Sequence, residues 1–229
     1  MFSLRLSSLA DSEQMSAEVG LRERKKERTR QLLADTARRL FSERGFEQVS
    51  VAEIARAAEV SPATVFNYFP NKEDLVYNRL EVFEEQLLTA IRDRPRGETV
   101  IAAFRTFILE PRGLFAATSD KAAKELVALT RMITASPALL AREQQILARY
   151  TNALAKLIAE ETRAGADDVR PYAVANALIG VHRSLIVHVR RRLEATTPDR
   201  RQLARDTRRH AEQALALLAD GLGDYAAKR

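Results

Sequence analysis

The chain has no cysteine, and only eight glycines and seven prolines occur among its 229 residues. The absence of cysteine excludes disulfides, thiolate metal sites and cysteine nucleophiles, and it favours a cytoplasmic protein. No uninterrupted apolar run approaches the roughly 18 residues of a membrane-spanning helix, so the sequence predicts no membrane segment. Together these absences leave a reduced protein whose core must come from packing alone.

Catalytic and metal-binding motifs are also missing from the sequence. The three histidines, His182, His188 and His210, do not form an HExxH arrangement, so no metal site is predicted. There is no glycine-rich phosphate loop after a strand and no GxSxG sequence. We therefore predict no catalytic residue, no metal and no cofactor, and the protein is not expected to be an enzyme.

The composition indicates an all-α protein. Apolar residues make up 46% of the chain and charged residues 30%, which is typical of a folded domain. Alanine, leucine, arginine and glutamate dominate, and they favour helix almost everywhere. The net charge of +6 suits a polyanionic partner without requiring one.

Residues 50–72 contain the most informative pattern, SVAEIARAAEVSPATVFNYFPNK. Ser50 and Glu53 form a capping box, so a helix is predicted to begin at Val51. A second helix is predicted to begin at Ser61-Pro62, with serine as N-cap and proline at the first helical position. Two short helices joined by a tight turn are typical of a helix-turn-helix.

The second of these helices has one apolar face and one outward face. Val65 and Phe69 are four residues apart and are predicted to be buried. The residues expected to point outward are Ala63, Thr64, Asn67 and Tyr68. Small and hydrogen-bonding side chains on an exposed helix suit a reader of the major groove, because bulk would hold the helix away from the bases.

A further helix is predicted before this hairpin. Leu33, Ala37, Leu40 and Phe41 lie on one face of it, and Gly45 is expected to end it in a left-handed conformation. The run LRERKKERTR at residues 21–30 precedes this face and holds six basic residues against two acidic ones. It is either a solvated helix surface or a basic segment that lies along a phosphate backbone.

Over about residues 29–75 the chain resembles the TetR family of bacterial transcriptional repressors. The matching positions are Leu33, Ala37, Leu40-Phe41, Gly45-Phe46, Val51, Ile54-Ala55, Val60-Ser61-Pro62-Ala63-Thr64, Tyr68-Phe69-Pro70 and Lys72-Glu73-Asp74-Leu75. The residues expected at the DNA surface are Arg28, Ser50, Val51, Ser61, Pro62, Ala63, Thr64, Phe66, Asn67, Tyr68 and Lys72. Ser50 and Lys72 are expected at phosphates. The alternative is a helical hairpin that resembles a helix-turn-helix by chance.

Two positions depart from the family's pattern. Glu59 stands where many relatives have glycine, and a left-handed conformation there would cost on the order of 1 kcal/mol. Phe66 stands where relatives often have a tyrosine that can bind a phosphate. At this position the chain can offer only van der Waals contact.

The sequence predicts a disordered arm at residues 1–21, a DNA-binding domain at 22–72 and a helical ligand-binding and dimerisation domain at 73–229. One long helix is expected from Lys72 to Arg92, followed by a bundle of five or six helices. The residues that suit a pocket are Phe104, Phe107, Met132, Tyr150, Asn176 and Arg183, with His182 also polar within an apolar helix. The same residues also suit an ordinary core and the exposed edge of a helix.

The resemblance implies a homodimer in which the last two helices pair with their copies, and hence a palindromic double-stranded DNA operator. It also implies a small-molecule inducer that releases the DNA. Two alternatives stay open at this point. One is a DNA-binding regulator without an inducer, and the other is an all-helical interaction protein or enzyme that does not bind DNA.

Overall fold

The computed structural model describes residues 3–78, 80–110, 120–195 and 199–222, and every regular element in these ranges is helical. The elements are α1 (Ser3–Arg44), α2 (Val51–Ala57), α3 (Pro62–Tyr68), a 3-10 turn (Lys72–Leu75), α4 (Leu80–Arg92), α5 (Val100–Leu109), α6 (Asp120–Ala135), α7 (Pro137–Thr162), α8 (Arg170–Ala195) and α9 (Arg200–Leu222). Two compact units, 1–78 and 79–229, divide the chain. The predicted all-α class is confirmed.

The first unit is built on the apolar faces that the sequence predicts. The buried residues of α1 and the turn after it are Leu33, Ala34, Ala37, Leu40, Phe41, Phe46 and Val49, and those of α2 and α3 are Ile54, Ala55, Ala58 and Val65. Gly45 has a φ of 87°, and its amide donates to Phe41 O at 2.8 Å. The left-handed end predicted for this helix is therefore confirmed.

The first helix begins much earlier than its sequence pattern predicts. The backbone of α1 is helical from Ser3, so it covers most of the segment 1–21 for which a disordered arm is predicted. Residues 3–19 contain neither glycine nor proline, so no residue in them breaks a helix. The boundary between the two units lies at 78/79 and not at the predicted 72/73.

The helix predicted from Lys72 to Arg92 is not continuous. The chain forms a 3-10 turn at Lys72–Leu75, and α4 begins only at Leu80. The amides of Val76 and Tyr77 both donate to the carbonyl of Glu73, at 3.0 and 3.3 Å, which tightens the backbone here. Tyr77, the last of these residues, is buried.

The second unit is a bundle of the six described helices α4–α9. Helix α7 packs against α8, α8 against α9, and α5 against α9, while α4 contacts α5 and α7. By length and composition alone, α8 is apolar enough to cross a membrane. Its residues Val174, Leu178 and Leu185 are buried within the unit, which is the arrangement of a core helix.

Arg94, two residues after the end of α4, is the most buried charged residue of this bundle among the described residues, with 4% of it exposed. Its guanidinium donates to Ile91 O at 2.5 Å and to Glu98 O at 3.0 Å. It also pairs with Glu161 of α7 at 2.7 Å. One side chain therefore satisfies two backbone carbonyls and joins the end of α4 to α7.

Glu59 adopts the strained conformation considered in the sequence analysis, with a φ of 57°. The amides of Glu59 and Val60 donate to Arg56 O and Ala55 O, at 3.2 and 2.9 Å, so α2 ends in a Schellman motif with Glu59 at its left-handed position. Glycine adopts this conformation without strain, whereas it costs any other residue about 1–2 kcal/mol.

We therefore expect Glu59→Gly to stabilise the protein by about 0.5–1 kcal/mol, after the greater chain entropy of glycine is subtracted. The measurement is urea unfolding of the full chain. Ala57→Gly, two residues earlier within α2, is the matched control and should destabilise by about 1 kcal/mol. Destabilisation by both variants would contradict the prediction.

Candidate nucleic-acid interface

Helix α3 presents a row of exposed side chains on one face. Ser61 caps it by accepting from the amide of Thr64 at 3.1 Å, and Pro62 occupies the first helical position. The exposed residues are Ser61, Pro62, Ala63, Phe66 and Asn67, and we call the last four the outward face of α3. Thr64 and Tyr68 are half-buried, and the hydroxyls of Ser61 and Thr64 are 2.9 Å apart. The outward face carries no charged side chain, and Phe66 is its one large apolar residue.

The opposite face of α3 anchors the helix in the first unit. Val65 and Phe69 are each 1% exposed. Arg30 of α1 donates to the carbonyl of Tyr68 at 3.0 Å, and its guanidinium lies 4.5 Å from the centre of the Phe69 ring. A cation at the carboxyl end of a helix complements both the unpaired carbonyls and the helix dipole. Arg30 therefore positions α3, a role that the sequence pattern did not predict.

The start of α2 is held by the predicted capping box. The Ser50 amide and hydroxyl donate to Glu53 Oε2 at 2.8 and 2.9 Å, and the Glu53 amide donates back to Ser50 Oγ at 3.2 Å. Arg44 donates to Glu53 Oε1 at 2.7 Å. Ser50 is exposed and Val51 is half-buried. The hydroxyl proton of Ser50 is thus bound to Glu53, and its contact with a phosphate stays a prediction.

These contacts give the capping box a pH dependence. Hydrogen bonds from the Ser50 amide, the Arg44 guanidinium and the Ser50 hydroxyl lower the pKa of Glu53 from 4.5 to about 2. The folded state binds a proton at the Glu53 carboxylate more weakly than the unfolded chain does. The stabilisation of the folded state by the ionised carboxylate is therefore complete above about pH 4.5. It is lost as the pH falls from there through 2.

We expect the free energy of unfolding, measured with urea between pH 2 and 6, to fall with decreasing pH in the wild type. In Glu53→Gln its dependence on pH should be shallower. Arg44→Gln removes the hydrogen bond and the positive charge of Arg44 but leaves both Ser50 hydrogen bonds, so its dependence should lie between the two. A Glu53→Gln variant with the same slope as the wild type would show that the capping carboxylate is not responsible.

Lys72 has a contact within the unit that the sequence did not predict. Its ammonium donates to the carbonyl of Phe46 at 2.6 Å and lies 4.1 Å from the centre of the Phe46 ring. Burial lowers the pKa of Lys72. The ammonium thus holds the turn after α1, and the predicted phosphate contact would have to use its other N–H groups. Arg28, by contrast, is exposed on α1.

The second unit contains an aromatic cluster formed by Phe83 of α4, Phe107 of α5, Tyr150 of α7 and His182 of α8. The Phe83 ring is 5.2 Å from Phe107, 5.6 Å from Tyr150 and 4.7 Å from the His182 ring, centre to centre. Burial lowers the pKa of His182 to about 4, so this imidazole is neutral at pH 7. Four helices therefore converge on one group of rings with a neutral polar edge.

This cluster contains only two of the six residues predicted to line a pocket. Phe107 and Tyr150 belong to it, Phe104 is buried on α5, and Met132 is half-buried on α6. Asn176 and Arg183 are exposed on α8. Asn176 follows Ala175, and Arg183 follows His182. Successive side chains of a helix point about 100° apart, so Asn176 and Arg183 point away from the side on which Ala175 and His182 lie. They lie outside the aromatic cluster, and His182 supplies its polar group instead.

Both parts of the chain match known families. Residues 33–77 match the bacterial regulatory proteins of the tetR family, and residues 98–223 match the MftR C-terminal domain. The HTH-type transcriptional regulator TcmR of Streptomyces glaucescens is 33% identical over 153 residues, which cover 65% of this chain and 67% of TcmR. The HTH-type transcriptional regulator LuxR of Vibrio harveyi is 51% identical over 47 residues, 20% of this chain and 23% of LuxR.

A solved structure, that of Salmonella enterica GusR, aligns over 86% of this chain and 95% of GusR, with 20% identity and a TM-score of 0.48. The two family matches and the similarity to TcmR define the class of the protein as a DNA-binding transcriptional regulator. The chain belongs to the tetR family of bacterial regulatory proteins. The resemblance found in the sequence is thereby confirmed.

Proposed function

We propose that this regulator is a homodimeric repressor that binds a palindromic DNA operator through α3 and is released by a small molecule bound in residues 79–229. The observation that carries the proposal is the outward face of α3, which is exposed while Val65 and Phe69 hold the helix from behind. Ala63 and Asn67 would approach base edges, and Asn67 has the amide that binds adenine in the major groove.

Exposed apolar residues on the last two helices support self-association. Tyr172 and Val187 of α8 are 53% and 38% exposed, and Leu217 of α9 is 83% exposed. A second copy of the chain would bury these side chains in a symmetric interface. To bind both half-sites, the two recognition helices of the dimer would lie about 34–36 Å apart, one turn of DNA. Sedimentation should then give twice the chain mass of 25.7 kDa.

The aromatic cluster is the proposed place for the ligand. Its rings offer apolar contact surface, and the half-buried, neutral His182 offers a hydrogen-bonding edge. The protein would have two conformations, one that fits the operator and one that does not. For the ligand to release DNA, it must bind the second conformation more tightly than the first. A tenfold release corresponds to a difference of about 1.4 kcal/mol.

The test is selection of duplexes from a randomised DNA pool by the full-length chain, followed by binding measurements on the selected sequence. We expect a palindrome with half-sites about one helical turn apart. Binding that selects no sequence and depends only on salt would overturn the proposal. Because the target is chromosomal DNA, the protein would act in the bacterial cytoplasm.

A further inference from the structure

Phe66 is an exposed aromatic residue on the outward face of α3, with half of the residue, 50%, open to solvent. It lies three residues after Ala63 and directly before Asn67, both of which are exposed. The two apolar residues on the other side, Val65 and Phe69, are 1% exposed. Val65 and Phe69 thus form the buried face of α3, and Phe66 is not part of that face.

The chemistry of the major groove restricts what such a ring can recognise. The base edges there present hydrogen-bond donors and acceptors, together with one apolar group, the C5-methyl of thymine. A phenyl ring cannot use the donors and acceptors, so the methyl group is the base feature from which it gains. Ala63, one turn away on the same face, is small enough not to hold the ring away from the groove.

We propose that Phe66 reads a thymine in each half-site by packing against its C5-methyl group, and that it is a specificity-determining residue of this regulator. The inference rests on the proposed DNA-binding function of α3. It also gives Asn67 a complementary role, since the neighbouring amide can bind an adenine by two hydrogen bonds. Each half-site of the predicted operator then contains a thymine, read by Phe66, and a nearby adenine, bound by Asn67.

The first experiment is selection from the same randomised duplex pool with the wild type and with Phe66→Ala. We expect one thymine position per half-site to be strongly enriched by the wild type and to become indifferent in Phe66→Ala. The enrichment of the other positions should persist. If Phe66→Ala enriches that thymine as strongly as the wild type, Phe66 does not read it.

The second experiment removes the methyl group alone, by replacing the selected thymine with deoxyuridine. Wild-type affinity should fall about fourfold for one half-site, equivalent to about 0.8 kcal/mol for one buried methyl group, and about 16-fold when both half-sites are changed. Phe66→Ala should bind the two duplexes equally, and Phe66→Leu should keep part of the difference. Equal wild-type affinity for both duplexes would overturn the proposal.

Leu32→Ala is the matched control, because Leu32 of α1 is a large apolar residue of the same unit and is 49% exposed. This variant should keep both the thymine preference and the loss caused by deoxyuridine. If Leu32→Ala loses them as Phe66→Ala does, the assignment to Phe66 is wrong. A wild type that enriches no sequence at all would overturn the DNA-binding proposal itself, which separates the two failures.

Discussion

Ala63→Glu should weaken operator binding at least about a hundredfold, or about 2.8 kcal/mol, while the protein stays folded. Ala63 is exposed on the outward face of α3, so a carboxylate there would face the phosphates and the acceptors of the groove. The same position is the second residue of α3, where a negative charge is favourable to the helix. The loss of binding would therefore not come from loss of structure.

The measurement is fluorescence anisotropy on the selected duplex, with circular dichroism to confirm the helical content. Ala148→Glu is the matched control, since Ala148 is an exposed alanine within α7 of the second unit. It should bind the duplex nearly as well as the wild type. If Ala63→Glu also binds like the wild type, α3 is not the helix that enters the groove.

Arg94→Met should reduce the free energy of unfolding by about 2–4 kcal/mol. The substitution keeps most of the apolar stem but leaves the Ile91 and Glu98 carbonyls without this donor and Glu161 without its cation. Because the Glu161 side chain is 23% exposed, water can solvate part of it, and the expected cost is below that of a fully buried pair.

The comparison variant for this prediction is Arg149→Met, which breaks the ion pair of Arg149 with Glu84 at 2.7 Å. The Arg149 side chain is 43% exposed, so its loss should cost less than about 1 kcal/mol. Urea unfolding of the two variants gives the difference directly. Equal costs for the two variants would show that the burial of Arg94 does not set its contribution.

Local signals were sufficient to predict much of the fold. The serine-proline pair at Ser61-Pro62 predicts the start of a helix, and α3 is Pro62–Tyr68 with Ser61 as its N-cap. Ser50 and Glu53 predict the start of α2 in the same way. These signals act within one turn of helix, where spacing alone decides which groups meet.

Contacts between distant parts of the chain were not predictable from such patterns. Arg30 and the Tyr68 carbonyl are 38 residues apart, and Lys72 and the Phe46 carbonyl are 26 apart. Periodicity indicates which face of a helix is buried, but it does not indicate which residue of another helix lies opposite. The aromatic cluster was only partly predicted for the same reason, since His182 and the exposed Asn176 and Arg183 all lie in the same apolar stretch.

The residues that hold α3 in place are different from those that would contact the DNA bases. Arg30, Val65 and Phe69 fix its position from behind, and the side chains of Ala63, Phe66 and Asn67 take no part in these contacts. Evolution or an engineer could exchange those three side chains for others and retarget the protein to a new promoter without rebuilding its scaffold. A seven-residue helix cut out of the protein would lose that support and, by itself, would not remain helical.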